Sequence, residues 1–220
     1  MRGDVRCHLD GREGEGAPRI MCRGAVVETW TEAGFAAAKE EDRLRIARHE
    51  ASHAVISLAL GRHVEYVSVQ EGDPHVMERG RADGPGWLHG SLFVTLAGDL
   101  GEPEPEPFDH ADGAARIAAC RSGSLGTCDS CRLAYYLAGV WPERSDAELA
   151  LLWGHLRAVV LNLMAHPTIV ETIDRLAEAL GRRKLLLADE LHVIANVTAL
   201  RTAAAEVLGP SAPREIGEMP

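Results

Sequence analysis

Apolar residues at helical spacing dominate this chain, and the clearest stretch runs over residues 32–60. There Phe35, Leu44, Ala47, Ala51, Ala54, Val55 and Leu58 recur largely at intervals of three and four, which lines one face of an α-helix. Gly61 supplies a stop. Val64, Tyr66, Val67 and Val69 then make a short β-rich run, and residues 72–86, rich in Gly, Asp and Pro, read as a loop. Residues 91–100 predict a second apolar helix. It is ended by Gly101 and by the Glu-Pro alternation of 102–107, where each Pro lacks an N–H and restricts the residue before it. An Ala-rich helix over 111–120 comes next, followed by a Gly/Ser/Cys loop. Ser145 and Glu148 have capping-box spacing and open a long helix toward Ala165, which His166-Pro167 breaks. Two more helices are predicted, over 168–180 with Gly181 as C-cap and over 188–208.

The expected fold is therefore mostly α with a small β element and a C-terminal helical bundle. Residues 1–24 hold five Gly, one Pro and scattered charges without periodicity, and read as a flexible arm. Residues 25–208 form the domain and 209–220 a disordered tail. A length of 220 residues suits one sizeable core and is short for two enzyme domains.

The formal charge of -10 argues against nucleic acid, because affinity for it rests on neutralising phosphates with Lys and Arg. No run approaches the ~20 apolar residues that span a bilayer, so no integral membrane segment is expected. The first 16 residues lack the apolar core of a secretory signal, which makes the cytoplasm the expected compartment. Five cysteines, an odd number in that compartment, suggest reduced thiols rather than a disulfide framework.

Within the first helix lies His49-Glu50-Ala51-Ser52-His53. Histidines at i and i+4 stand one above the other on a single helix face, so both imidazoles can reach one tetrahedral Zn²⁺. Glu50, beside the first of them, can take a proton from a zinc-activated water and later pass it to a leaving amide nitrogen. Apolar Ile46, Ala47, Ala54 and Val55 flank the motif, unlike the polar surroundings of a solvated histidine pair. A third protein ligand is needed. The residue ten positions after His49, where metzincins place a third His, is Ala59, so the ligand comes from farther along the chain.

Residues 46–54, Ile-Ala-Arg-His-Glu-Ala-Ser-His-Ala, resemble the zinc helix of FtsH-type ATP-dependent proteases, whose usual form is His-Glu-Ala-Gly-His-Ala. Ser52 replaces the common Gly. The strand around Val67, the helix with Leu96-Ala97-Gly98, the helix with Ala114, Ile117 and Ala118, and the stretch from Leu176 to Leu180 followed by Leu187 and Glu190 resemble that peptidase domain in order, over about 150 residues. The resemblance implies a helical zincin-like peptidase domain with its zinc motif on a central helix. Its third ligand would be an Asp at the start of a helix, followed by apolar or small residues four, seven and eight positions on. Read back from Ala114, Ile117 and Ala118, that register lands on His110, with Asp109 just before and Asp112 two after. His110 and Asp109 are therefore both candidates, and Asp112 stands behind them. In the bland alternative His110 is a loop residue, Asp109 an N-cap and Asp112 a first-turn charge. The family's proteases carry an ATPase module, yet these residues hold no Gly-x-x-x-x-Gly-Lys-[Ser/Thr] loop.

The resulting expectation is a zinc metalloendopeptidase that cuts unfolded or flexible polypeptides. A separate ATPase is a candidate partner, and self-association is left open. The competing expectation is a catalytically silent peptidase-like module that binds or regulates. Cys120, Cys128 and Cys131, spaced C-x7-C-x2-C, suggest structural thiols ahead of a second zinc site or a redox pair. His63, His75, His89, His155, His166 and His192 read as surface or helix-end residues, and Trp87 and Phe93 as core.

Overall fold

The motif segment is a continuous 20-residue helix, α1 (Glu40–Ala59), in a computed structural model that describes residues 7–9, 20–22, 40–70, 74–79, 85–102, 105, 107–123, 126 and 128–209. Ala47, Ala51, Ala54, Val55 and Leu58 are buried along it, as the spacing predicts, whereas Leu44 near its start is exposed and Phe35 lies outside the described residues. Gly61 ends the helix at φ +82, a region that glycine enters without the Cβ clash other residues meet, and the Arg62 N–H returns to the Ser57 carbonyl at 2.9 Å. The chain divides into two compact units, residues 30–105 with 157–220, and residues 1–29 with 106–156.

The first unit is built around α1. After it come β3 (Val64–Ser68), β4 (His75–Glu78) and α2 (Pro85–Gly101); later come α6 (Pro167–Arg183), β5 (Leu185–Leu187), α7 (Ala188–Ile194) and α8 (Val197–Leu208). The three strands form one antiparallel sheet in the order β4-β3-β5, with Val67 opposite Val76 on one side and Leu186 on the other. α1 packs chiefly against α2 and α6, and to a lesser degree against α8 and β3. From α6, Ile169, Ile173, Leu176 and Leu180 enter the core.

Several boundaries differ from the sequence expectation. β4 lies in the stretch read as a loop. α2 begins at Pro85, ahead of the expected start. α6 runs past Gly181 and stops at Lys184, whose φ of +62 is unusual for a non-glycine residue. A tertiary contact fixes that turn: the Val69 N–H donates to the Lys184 carbonyl at 2.8 Å, so sheet pairing rather than glycine ends the helix. The single helix expected over 188–208 is two, because Asn196 caps the second through Oδ1, which accepts from the Ala199 N–H at 3.1 Å. Replacing that cap, Asn196→Ala, is expected to lower stability by about 1 kcal/mol, read from the midpoint of chemical unfolding.

The other unit contains β1 (Cys7–Leu9) and β2 (Ile20–Cys22), α3 (His110–Arg121), α4 (Asp129–Val140) and the beginning of α5 (Asp146–Met164). β1 and β2 pair antiparallel with Cys7 opposite Cys22, so part of the stretch expected to be an unstructured arm carries a short ladder. The tail expected over 209–220 lies, after residue 209, outside the described residues. α4 was not apparent in the sequence, where cysteines and glycines preceding it suggest a loop. Buried Leu133, Ala134 and Leu137 supply its apolar face. α5 opens on the expected capping box, with the Ser145 N–H donating to Glu148 at 2.8 Å. It is 19 residues long and, by length and composition alone, apolar enough to cross a membrane. Leu149, Trp153, Leu156, Val160 and Leu163 are buried at helical intervals along it, the one-sided pattern of a helix that faces a core.

Candidate metal centre

His49 and His53 lie one turn apart on α1, and their Nε2 atoms approach to 3.1 Å. Each ring is oriented from behind. The Nδ1 of His53 is 2.6 Å from the Val94 carbonyl, which can only accept, so Nδ1 carries the proton and Nε2 presents a lone pair. The Nδ1 of His49 is 3.4 Å from the Glu102 carboxylate, which imposes the same tautomer. Two lone pairs aimed at one another at this separation repel, and a shared cation removes the penalty. At zinc–nitrogen distances of ~2.05 Å the two nitrogens would subtend roughly 100° at the ion, close to tetrahedral.

Space for that ion is set by α2. A Cβ on Gly98 would lie 2.4 Å from Nε2 of His53 and 2.5 Å from Nε2 of His49, so the position next to both ligand atoms is kept open only because residue 98 has no side chain. One turn on, a Cβ on Gly101 would lie 1.9 Å from Oγ of Ser52. Ser52 thus occupies the close crossing of α1 and α2, with its hydroxyl donating to the Arg48 carbonyl at 2.7 Å. The Ser at this motif position is accommodated by a glycine on the facing helix.

Glu50, between the two histidines in sequence, is 6% exposed. Glu102 follows the C-terminus of α2 and also pairs with Arg45 at 3.3 Å. Burial pushes its carboxyl upward, but the hydrogen bond from His49 and the neighbouring Arg45 guanidinium outweigh this and hold it below the usual carboxylate range. His49, Asp99 and Glu102 also form a group whose ligand atoms lie within 4.8 Å of one another. The space beside Gly98 faces the two Nε2 atoms, which favours the His49–His53 pair as ligands and Glu102 as the group that orients His49. Glu102→Ala is accordingly expected to weaken zinc binding about 10- to 100-fold in competition with a chromophoric chelator, with the helical circular dichroism retained.

The other sequence-derived ligand candidates belong to the second unit. Asp109 is the N-cap of α3, exposed, and accepts from the Ala111 N–H at 2.8 Å. His110 packs edge-on to Phe108, and its Nδ1 lies 3.3 Å from the Ala150 carbonyl. Asp112 pairs with Arg116 one turn on, at 2.7 Å. Each therefore has a local structural role. Asp129, not singled out in the sequence, stands half-buried in the first turn of α4, with Leu133, Tyr136 and Leu137 four, seven and eight positions on. Leu133 and Leu137 are buried. This spacing was legible once α4 is recognised as a helix.

Among the remaining candidates, His75 bonds to the Tyr66 hydroxyl at 2.9 Å, and His166 caps α6 by accepting from the Thr168 N–H. His63, His155 and His192 are exposed. Phe93 is half-buried rather than in the core, and the side chains of Trp87 and His89 lie outside the described residues. Among the described residues Cys120, Cys128 and Cys131 are in no disulfide, and burial pushes the Cys120 thiol up. No protein-family model matches this chain, and no curated protein is significantly similar to it.

Proposed function

We propose that the protein is a zinc-dependent metalloendopeptidase of zincin-like type, resembling the FtsH peptidase domain, with His49 and His53 as ligands and Glu50 as general base. The observation that carries this reading is the pair of Nε2 atoms facing the space beside Gly98, each ring oriented through its Nδ1. The third ligand is proposed to be His110 or Asp109, with Asp129 as a further candidate from the sequence register of its own helix. That register puts a carboxylate at the start of α4 followed by Leu133, Tyr136 and Leu137, the pattern the resemblance requires.

Bound zinc would supply a Lewis acid that polarises the scissile carbonyl and lowers the pKa of water to about 7. Glu50, held on a rigid helix next to His49, takes the proton of the attacking water and delivers it to the departing amine nitrogen. Its burial restricts competing solvent and strengthens its interaction with the developing charge. Val94 and Glu102 keep both imidazoles in the ligating tautomer throughout. The substrate class is unfolded or flexible polypeptide, and a separate ATPase could deliver folded ones. In the test, casein hydrolysis is lost on treatment with 1,10-phenanthroline and restored by stoichiometric zinc. Hydrolysis that persists at full rate in the chelator would exclude the reading.

A further inference from the structure

Cys128 and Cys131 occupy the N-cap and third position of α4, a placement to which the peptidase reading gives no role. From the rise and radius of a helix, Cα atoms three residues apart are separated by roughly 5 Å. That falls within the ~4.4–6.8 Å usual between the Cα atoms of a disulfide. The N-cap position adds to this. Cys128 has extended dihedrals, φ -71° and ψ 162°, so its side chain is not bound to the helical direction. It packs against the small buried cluster formed by Cys131 and Ala119. Cys131 is 4% exposed and Cys128 half-buried, which gives the pair an accessible thiol and a sheltered one. A second metal site is not favoured, since among the described residues the groups able to hold an ion include no thiol.

We infer that Cys128 and Cys131 form a redox-active dithiol that undergoes reversible thiol–disulfide exchange with small-molecule disulfides. In the first step the Cys128 sulfur attacks the disulfide, giving a mixed disulfide and releasing one small thiol. In the second the Cys131 sulfur attacks Cys128 Sγ and releases the other. The small disulfide is thereby reduced to two thiols, which take up the two protons, and the protein dithiol is oxidised to one intrachain disulfide. The inference stands on the geometry of α4 and does not depend on the zinc reading.

The sequence permits a direct test. Trypsin cleaves after Arg121 and Arg132, so residues 122–132 emerge as one peptide that carries Cys128 and Cys131, while Cys120 leaves on the preceding peptide. The reduced full chain is exposed to glutathione disulfide, acid-quenched, alkylated, digested and weighed. The expected product is the 122–132 peptide two hydrogens lighter and without alkyl groups, with Cys120 still alkylated and the change reversed by dithiothreitol. In Cys131→Ser the same peptide should instead hold one glutathione on Cys128. A doubly alkylated 122–132 peptide from the unmutated chain, or one cross-linked to Cys120, would overturn the inference. Because the decisive reading comes from unmutated protein, misfolding of the variant cannot obscure it.

Discussion

Glu50→Gln is expected to reduce casein hydrolysis by about 10²- to 10⁴-fold while leaving bound zinc at the unmutated level. The amide is nearly isosteric with the carboxylate, so the packing of α1 around this buried position should survive, and neither histidine loses its orienting partner. On the proposed mechanism the substitution removes the group that would accept a proton from water, and an amide has no comparable basicity. Metal content and turnover should therefore separate. If the unmutated chain and Glu50→Gln hydrolyse casein equally while both hold zinc, Glu50 is not the base, and the silent binding module becomes the better description of the protein.

Gly98→Ala should have an effect of similar size through a different cause. The added methyl would lie within 2.6 Å of three ring atoms, both Nε2 atoms and His53 Cε1. Carbon–nitrogen contacts that short are not tolerated, and the cradle is walled by backbone and by rings whose Nδ1 atoms are already engaged. Either the imidazoles rotate away from each other or α2 retreats from α1, and both outcomes would dismantle the proposed metal site. Zinc content should fall to near zero and hydrolysis with it. Gly139→Ala is a matched control in α4, since nothing lies within 4 Å of its added Cβ. Inductively coupled plasma analysis of both variants, with circular dichroism as a check on folding, reads the difference. Stoichiometric zinc in folded Gly98→Ala would refute the role assigned to this glycine.

The sequence made α1 legible because both its determinants are local: apolar residues at three- and four-residue spacing, and two histidines one turn apart. α2 was legible for the same reason, but the purpose of Gly98 was not. Its role depends on how closely two helices cross, which periodicity does not encode. Glu102 was hidden in the same way, since in sequence it belongs to a Glu-Pro run that reads as solvated spacer. In the structure it follows the end of α2 and meets His49. Likewise, β5 is three leucines between helices, and only its pairing with β3 distinguishes it from a helical turn. Lys184 ends α6 by a contact with Val69, which no nearby glycine announces.

Helix α4 illustrates a different limit. The register that the resemblance implies lands on His110 in α3, and the first turn of α4 offers the same register a second time at Asp129. Asp129, Leu133 and Leu137 carry the pattern openly once 129–140 is read as a helix. Cysteines and glycines just before it mask the apolar spacing of residues 133–140, which becomes visible only with Leu133, Ala134 and Leu137 on one buried face.

The central claim is that His49 and His53 bind a catalytic metal, and metal analysis of protein purified without chelator tests it most directly. About one zinc per chain is expected in the unmutated protein and in Glu50→Gln, with loss in His49→Ala and His53→Ala. Failure of the folded, unmutated chain to retain zinc, or retention undiminished in both histidine variants, would contradict the account.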